Sequence, residues 1–376
     1  MKITEIRTHL LAIPLRERYH WAIGAPEGFN TVLVEVHTDS GIVGYGDALG
    51  TRSAVAAEAT IRSVEALLLG EDPFRVEYLL GRFYHGGAWS NQRRFANQSF
   101  AGIEMALWDI CGKALGQPVY NLLGGKMRDT IHWFGFLQGG DPQTLAEDAR
   151  QHVARGFDLL YMKIGQGAER DLAAVKAVRE AVGDGPRLRV DPNEAWDRHT
   201  AVTMIRQLEP FNLDWVEQPL PAGDIAGAAD LRRQVSVPLA LDQALFTDAE
   251  VLEAVRRDAC DVVVIGFHET GGLLPLKKAA VIAAAGSLNI NRHGCLGETG
   301  ISTLAALQVL ATIPNLSDGN QVMHQLCADD VLVDGLLDIE GGTTVVPDRP
   351  GLGIEINWDH VERFEKLFEQ VGQYPM

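Results

Sequence analysis

The stretch LLYMKIGQGAERDLAAVKAVREAVGDGPRLRVD (residues 159–191) contains one complete unit of strand, helix and strand. Its two ends, LLYMKIG and RLRVD, are short apolar runs typical of buried strands, and DLAAVKAVREAVG between them carries apolar residues at helical spacing. The same alternation continues through WVEQP, PLALD, VVVIG and LNINRHG. We therefore predict a series of parallel strands joined by crossover helices.

The ends of these strand-like runs recur at an almost constant spacing. The end residues lie 28, 26, 25, 24 and 27 positions apart, and they are Lys163, Asp191, Glu217, Asp242, Gly266 and His293. A period near 26 accommodates one strand and one helix, which a closed parallel barrel requires. An open doubly wound sheet is the alternative, but the first strand-to-helix turn lacks the G-x-G-x-x-G loop typical of such sheets.

A second unit precedes the barrel. KITEIRTHLLAIPL and TVLVEVHTDSGIVGYGDAL alternate like paired strands, and SFAGIEMALWDICGKALG has a helical pattern that stops at Gly116 and Pro118. We predict an α+β capping domain over residues 1–128, completed by residues 330–376, where two more strand-like runs occur. Residues 129–329 then form the barrel.

Composition limits the functional class. With 33 basic and 50 acidic residues the formal charge is -17, which opposes binding to nucleic acid or to an anionic membrane. The chain has no run of 18 apolar residues and no leader-like start, and its four cysteines form no CxxC pair. We expect a cytoplasmic protein with reduced cysteines and no membrane or nucleic-acid partner.

Three of the strand-end residues are acidic and predict a metal site. Because parallel strands of a barrel end at one face, Asp191, Glu217 and Asp242 should converge there. Each acid alone could simply cap a helix, but three together repel one another unless a cation lies between them. Oxygen ligands without paired histidine or cysteine favour Mg²⁺, with Mn²⁺ possible.

Lys163 ends the strand before this triad. An amine beside a metal-bound carboxylate suits removal of a proton α to a carboxylate, because the metal neutralises the charge that develops as an enediolate forms. A lysine that reaches solvent from a strand edge is the structural alternative. We expect Lys163 to be the general base and a small carboxylate to be the substrate.

The chain resembles the enolase superfamily, in its mandelate racemase and muconate cycloisomerase branch, over nearly its whole length. The matching pieces are GIVGYGDALG (41–50), GIEMALWDICGKALGQPVYNLLGGK (102–126), YMKIG (161–165), VDPNEAW (190–196), WVEQP (215–219), PLALDQ (238–243), ETGG (269–272), GCLGETG (294–300) and VPDRPGLGIEI (346–356). The resemblance implies a modified (β/α)7β TIM-like barrel under an α+β capping domain, and its pattern is nearer to the muconate cycloisomerase subgroup.

The resemblance also implies roles for individual residues. It makes the three acids the Mg²⁺ ligands and Lys163 the base, with Asn193 and Gln218 beside the metal. Glu298 would lie near the substrate carboxylate or a metal-bound water. Tyr161 stands where many relatives have a second lysine, and we include it among the candidate substrate contacts.

The sixth strand departs from the family pattern, because Gly266 stands where relatives carry a lysine or an aspartate. His268 and His293 are the candidates for an acid or base on the opposite face, although each could be structural. Asp318 matches a position that binds a substrate ammonium in dipeptide epimerases.

Specificity should come from loops of the capping domain. The aromatic and glycine-rich segment RYHWAIGAPEGF (18–29) suits a lid, with His20 and Trp21 as candidate contacts. Arg52, in a second loop, could pair with a distal carboxylate.

These features favour a magnesium-dependent lyase or cycloisomerase that uses Lys163 as its one base. A racemase or epimerase that uses Lys163 and His293 on opposite faces is the alternative. A ligand-binding homologue without catalysis and a Schiff-base lyase are two further alternatives. The family resemblance suggests a homo-oligomer.

Overall fold

The first part of the chain forms a small antiparallel sheet that packs on a long helix. The computed structural model describes residues 1–22, 24–50, 53–85, 92–335 and 337–375. The first seven elements are β1 (Ile3–Pro14), β2 (Gly28–Thr38), β3 (Val43–Leu49), α1 (Ala54–Leu68), α2 (Val76–His85), α3 (Arg93–Leu115) and α4 (Val119–Leu122). Strand β2 pairs with both β1 and β3. A Cβ atom on Gly46 of β3 would lie 2.0 Å from the Gly102 carbonyl oxygen of α3, so the close contact of strand and helix requires glycine.

The middle of the chain alternates between short strands and helices. These elements are β4 (Thr130–His132), β5 (Gly135–Phe136), α5 (Pro142–Ala154), β6 (Leu159–Lys163), α6 (Ala168–Val182), β7 (Arg187–Asp191), α7 (Arg198–Leu208), β8 (Trp215–Glu217), α8 (Ile225–Arg232), β9 (Leu239–Leu241), α9 (Asp248–Arg257), β10 (Val262–Val264), α10 (Phe267–Thr270), α11 (Leu273–Ala285), β11 (Asn289–Asn291) and α12 (Gly300–Leu310). Strands β5 to β11 neighbour one another in chain order within one curled parallel sheet. All carboxyl ends of these strands therefore face the same side.

An irregular segment at residues 315–321 joins the two edges of this sheet. On the β11 side, the Ser317 amide donates to the Ile290 carbonyl at 2.8 Å. On the other side, the Phe134 amide donates to the Asn320 carbonyl at 3.2 Å. The segment occupies the place of an eighth strand, so the sheet closes into a barrel.

The C-terminal residues return to both units. β12 (Thr343–Val345) pairs antiparallel with β4, and α13 (Trp358–Val371) packs on β1 of the N-terminal sheet. His9 on β1 contacts Glu365 on α13 at 2.7 Å, and the Tyr374 amide donates to Asn30 Oδ1 at 2.7 Å. The N-terminal unit is thus completed by the end of the chain.

Asp47 on β3 connects the N-terminal unit to the barrel. Its Oδ2 accepts hydrogen bonds from the Thr299 amide at 2.8 Å and from the Thr299 hydroxyl at 2.7 Å, and its Oδ1 accepts one from Ser302. The carboxylate thus satisfies the free amide at the start of α12 and interacts favourably with the helix dipole.

The observed architecture confirms the predicted fold class, a mixed α/β barrel with a separate α+β unit. None of the helices in the described parts of the chain has the length and apolar character needed to cross a membrane.

Candidate active site

Three acidic side chains meet at the carboxyl ends of β7, β8 and β9. Asp191 ends β7, Glu217 ends β8 and Asp242 directly follows β9. All three are buried, and one oxygen of each lies within 4.8 Å of the others. Asp242 Oδ2 has no hydrogen-bond partner among the described residues. This all-oxygen donor set, with a buried oxygen left unpaired, fits Mg²⁺ or Mn²⁺.

The electrostatics of the triad also favour a cation. Burial and the charge of Asp191 raise the pKa of Glu217 to about 8. Burial raises the pKa of Asp242 to about 7, with His293 opposing the rise and Asp191 adding to it. Glu217 and Asp242 therefore resist ionisation, and a divalent ion between the acids would stabilise their charged forms.

Two residues in left-handed backbone conformations hold the triad in place. Asn193 has φ 45° and Gln218 has φ 32°. The backbone and side-chain amides of Asn193 donate to the two oxygens of Asp191 at 2.7 and 2.8 Å. Gln218 Oε1 accepts from the Asp242 amide at 2.9 Å. Both residues therefore orient ligands in the manner expected of groups beside a metal.

Lys163 lies against one end of the triad. Its Nζ is 2.6 Å from Asp191 Oδ2 and 3.0 Å from the Tyr161 hydroxyl. That hydroxyl also lies 2.7 Å from Asp191 and 2.8 Å from Glu217, and the Tyr161 ring stacks on Phe134 at 4.4 Å. Burial lowers the pKa of Lys163, but the neighbouring carboxylates raise it more, so the amine holds its proton firmly next to the triad.

His293 lies against the other end of the triad, and it has its own carboxylate partner. Its Nδ1 is 3.6 Å from Asp242 Oδ1 and 2.9 Å from Glu269 Oε1. A Cβ atom on Gly266 would lie only 2.3 Å from Glu269 Oε2. Glu269, three residues along in α10, thus occupies the space that a sixth-strand side chain would fill.

Glu269 is the functional residue that the sequence analysis missed. The sequence feature that could have indicated it is Gly266 at the end of the sixth strand, followed by an acidic residue one helical turn later. Burial raises the pKa of Glu269, but the charge of His293 and the hydrogen bonds from His293 and Cys295 outweigh burial and hold the pKa at about 2. Burial lowers the pKa of His293, but Asp242 and Glu269 together raise it well above its usual value. Both shifts favour an imidazolium paired with a carboxylate.

The structure does not bring His268 to the triad. Its Nε2 lies 2.8 Å from the Ser302 hydroxyl and 3.8 Å from Asp47 Oδ1. The ring is buried at the junction between α10, α12 and β3, where it joins the two units. We therefore correct its predicted catalytic role to a structural one.

Two further predicted substrate contacts, Glu298 and Asp318, have other surroundings than a substrate-binding site would give them. Glu298 pairs with the buried Arg292 at 2.6 Å and accepts from the Cys295 amide at 3.0 Å, so both of its oxygens have protein partners. Asp318 lines a recess together with residues at the amino-terminal starts of the strands, such as Arg187. That recess is at the end of the barrel opposite the triad, so the position of Asp318 contradicts its predicted contact with a substrate ammonium.

The lid segment covers the side of the site next to Lys163. The Trp21 carbonyl accepts from the Gln166 side chain at 3.0 Å, and His20 lies beside Gly140 in the loop after β5. Tyr19 is buried against Phe136, with ring centres 5.5 Å apart. Burial raises the pKa of the Tyr19 phenol, and the charge of Lys163 opposes part of this rise.

One predicted contact cannot be placed. Arg52 lies outside the described residues.

The capping sheet, the closed barrel and the acidic triad at its strand ends together define a barrel protein whose buried carboxylates could bind a metal ion. Residues 3–124 match the N-terminal domain of mandelate racemase and muconate lactonizing enzyme, and residues 144–360 match the enolase C-terminal domain-like family. The chain belongs to the mandelate racemase and muconate lactonizing enzyme branch of the enolase superfamily. The predicted resemblance is thereby confirmed.

Proteins similar to this chain have different activities. It is 31% identical to D-galactarolactone cycloisomerase of Agrobacterium fabrum, over 97% of this chain and 99% of the relative. It is 32% identical to arabinonate dehydratase of Saccharolobus solfataricus, over 86% and 88%. The structure of N-succinyl Arg/Lys racemase from Bacillus cereus has a TM-score of 0.90 at 28% identity, covering 97% and 98%. The chain is accordingly an enzyme of the lyase or isomerase type, and these relatives leave its specific reaction open.

Proposed function

We propose that this enzyme removes the proton α to the carboxylate of a small organic acid and then expels a leaving group from the β-carbon. Lys163 is the base, and His293 protonates the leaving group. One observation carries the proposal: Lys163 Nζ lies 2.6 Å from Asp191 and His293 Nδ1 lies 3.6 Å from Asp242. These acids are the outer members of the triad, so a substrate held there would have an amine on one side and an imidazole on the other.

Asp191, Glu217 and Asp242 would hold Mg²⁺ or Mn²⁺. When bound, the ion would neutralise the negative charge that builds on the substrate carboxylate as the α-proton leaves. Lys163 accepts that proton only as a neutral amine, a form that its burial favours and the charge of Asp191 opposes. Ligation of Asp191 therefore favours the active form of the base.

His293 is prepared to act as a general acid. Because Nδ1 bonds to Glu269, the proton that His293 can exchange with substrate is on Nε2. The Glu269 carboxylate stabilises the imidazolium, which is the form that can donate a proton. Glu269 does not touch substrate and acts as a positioning residue.

Tyr161 and the lid complete the proposed site. The Tyr161 hydroxyl bonds to Lys163 and to two acids of the triad, so it fixes the direction of the amine. The Trp21 carbonyl bonds to Gln166 and His20 lies beside Gly140, in the loops after β6 and β5, so Tyr19, His20 and Trp21 would exclude water and contact the distal part of the substrate.

A transfer of the α-proton between two faces is the second candidate. The same two groups, Lys163 and His293, favour it, because racemisation needs one acid or base on each face of the α-carbon. Cycloisomerisation would use Lys163 alone. The three reactions share the removal of the α-proton and differ in their second step.

Exchange of the α-hydrogen with solvent deuterium tests the proposal. A panel of acid sugars and N-acyl amino acids is incubated with the magnesium-loaded enzyme in D₂O and followed by NMR. We expect deuterium at the α-carbon of the substrate and formation of a 2-keto acid by loss of water. Lys163→Ala should abolish both, whereas His293→Asn should lose elimination and keep exchange.

His199→Asn, an exposed substitution on α7, is the matched control and should behave as the wild type. Exchange that persists in Lys163→Ala would exclude Lys163 as the base. Deuterium incorporation with inversion and without loss of water would identify a racemase instead.

A further inference from the structure

A second cluster of metal-ligating side chains lies next to the triad. Glu269 Oε1, His293 Nδ1 and Cys295 Sγ all lie within 4.8 Å of one another. Cys295 Sγ is 2.6 Å from Glu269 Oε1 and 3.6 Å from His293 Nδ1. Glu269 is 1% exposed, and its second oxygen, Oε2, has no hydrogen-bond partner within the described ranges. The triad consists of oxygen ligands alone, whereas this cluster combines a thiol, an imidazole and a carboxylate.

We propose that Glu269, His293 and Cys295 form a binding site for a thiophilic divalent ion, represented by Zn²⁺, that is separate from the magnesium site. The ion would block the acid–base action of His293, a consequence that rests on the function proposed above. Sulfur and imidazole ligands favour Zn²⁺ strongly over Mg²⁺. The two sites would therefore select different ions although Asp242 and His293 are neighbours.

The distances suit a tetrahedral ion after a small adjustment. With Zn–S near 2.3 Å and Zn–N or Zn–O near 2.0 Å, ligand atoms in a tetrahedral site lie roughly 3.3 to 3.6 Å apart. The separation of 3.6 Å between Cys295 Sγ and His293 Nδ1 already meets this. The two shorter contacts of Glu269 Oε1 must open by at most about 1 Å, and water can supply the fourth ligand. The His293 side chain is 17% exposed, so an ion can reach it from the barrel mouth.

The charge balance of the cluster also permits a zinc ion to bind. With Cys295 bound as a thiolate, His293 as a neutral imidazole and Glu269 as a carboxylate, one Zn²⁺ would leave the cluster without net charge.

Occupation of Nδ1 would hold His293 in one protonation state. The proton on Nε2 would remain, and the ring could no longer cycle between acid and base. Lys163 lies at the other end of the triad and makes no described contact with the cluster, so its proton transfer would continue. Zinc is therefore expected to stop elimination and spare exchange of the α-hydrogen.

Cobalt(II) provides a test that needs neither substrate nor turnover. Co²⁺ is added to wild-type enzyme that already carries excess Mg²⁺, and the near-ultraviolet spectrum is recorded. A thiolate-to-cobalt charge-transfer band is expected in the wild type and not in Cys295→Ser. Cys111→Ser is the matched control, because Cys111 is buried in the capping domain and its Sγ donates to the Pro73 carbonyl, as a serine hydroxyl can.

The outcomes distinguish failure of the second metal site from failure of the proposed function. Absence of the band in the wild type, or its survival in Cys295→Ser, would refute the second site. Glu269→Gln, which keeps the thiol, should weaken cobalt binding, and unchanged affinity would remove Glu269 from the site. If the band appears and Zn²⁺ leaves elimination unchanged, the site stands and the blocking effect is refuted. If no acid exchanges its α-hydrogen, the proposed function fails while the cobalt result still decides the site.

Discussion

Replacing Gly266 with alanine should separate His293 from Glu269. The new Cβ would lie 2.3 Å from Glu269 Oε2 and 2.6 Å from the His293 carbonyl oxygen. An ordinary contact needs about 3.4 Å or more, so the carboxylate must retreat by about 1 Å, which takes its 2.9 Å bond to His293 beyond hydrogen-bond range. We expect overpacking to lower the free energy of unfolding by about 1 to 3 kcal/mol.

The catalytic effect follows from the lost hydrogen bond. A bond between charged groups contributes about 2 kcal/mol, which corresponds to a fall of roughly 30-fold in the rate of the step that needs His293. Elimination should therefore slow while α-hydrogen exchange by Lys163 continues, and both are read from the same NMR time course. The ¹⁵N signals of the His293 ring report the loss of the Glu269 contact without any substrate.

Gly185→Ala is the control, because its Cβ would meet nothing within 4 Å. Elimination at the wild-type rate in Gly266→Ala, with an unchanged His293 ring signal, would refute the idea that the missing side chain makes room for Glu269.

Three other predictions concern stability. Added Mg²⁺ should raise the melting temperature of the wild type and not of Glu217→Gln, because an ion relieves repulsion between buried carboxylates; equal shifts would count against the site. Glu35 and Glu365 raise the pKa of His9, so its stabilising effect should be full below about pH 6.5 and disappear as pH rises through the raised value. Urea unfolding of the wild type and His9→Asn should therefore converge at alkaline pH, and a constant difference would contradict this. Arg189→Met should cost about 3 kcal/mol in urea unfolding, since the buried Gly319 carbonyl and the partly exposed Asp214 lose their donor, and a loss below about 1 kcal/mol would contradict this.

The barrel and the meeting of the triad could be predicted from the sequence because both depend on short-range patterns. An apolar run predicts a strand, a constant spacing predicts parallel strands, and parallel strands end at one face. Asp191, Glu217 and Asp242 follow from those steps without any knowledge of side-chain packing.

The surroundings of His293 depend on side-chain packing, which the spacing of residues in the sequence does not predict. Glu269 reaches His293 because α10 turns the chain back toward the barrel mouth and Gly266 leaves space there. Glu298 is taken up by Arg292, whose burial is not visible in the local sequence. Asp318 lies in the irregular segment that closes the barrel, where hydrogen bonds rather than alternation set the register.

The attachment of α13 to β1 affects the order in which the protein can form during synthesis. The first strands leave the ribosome long before their last covering helix has been translated, so one face of the early sheet stays exposed until the chain is nearly finished. The capping unit can therefore reach its final packing only after the barrel that follows it in the chain has already been synthesised.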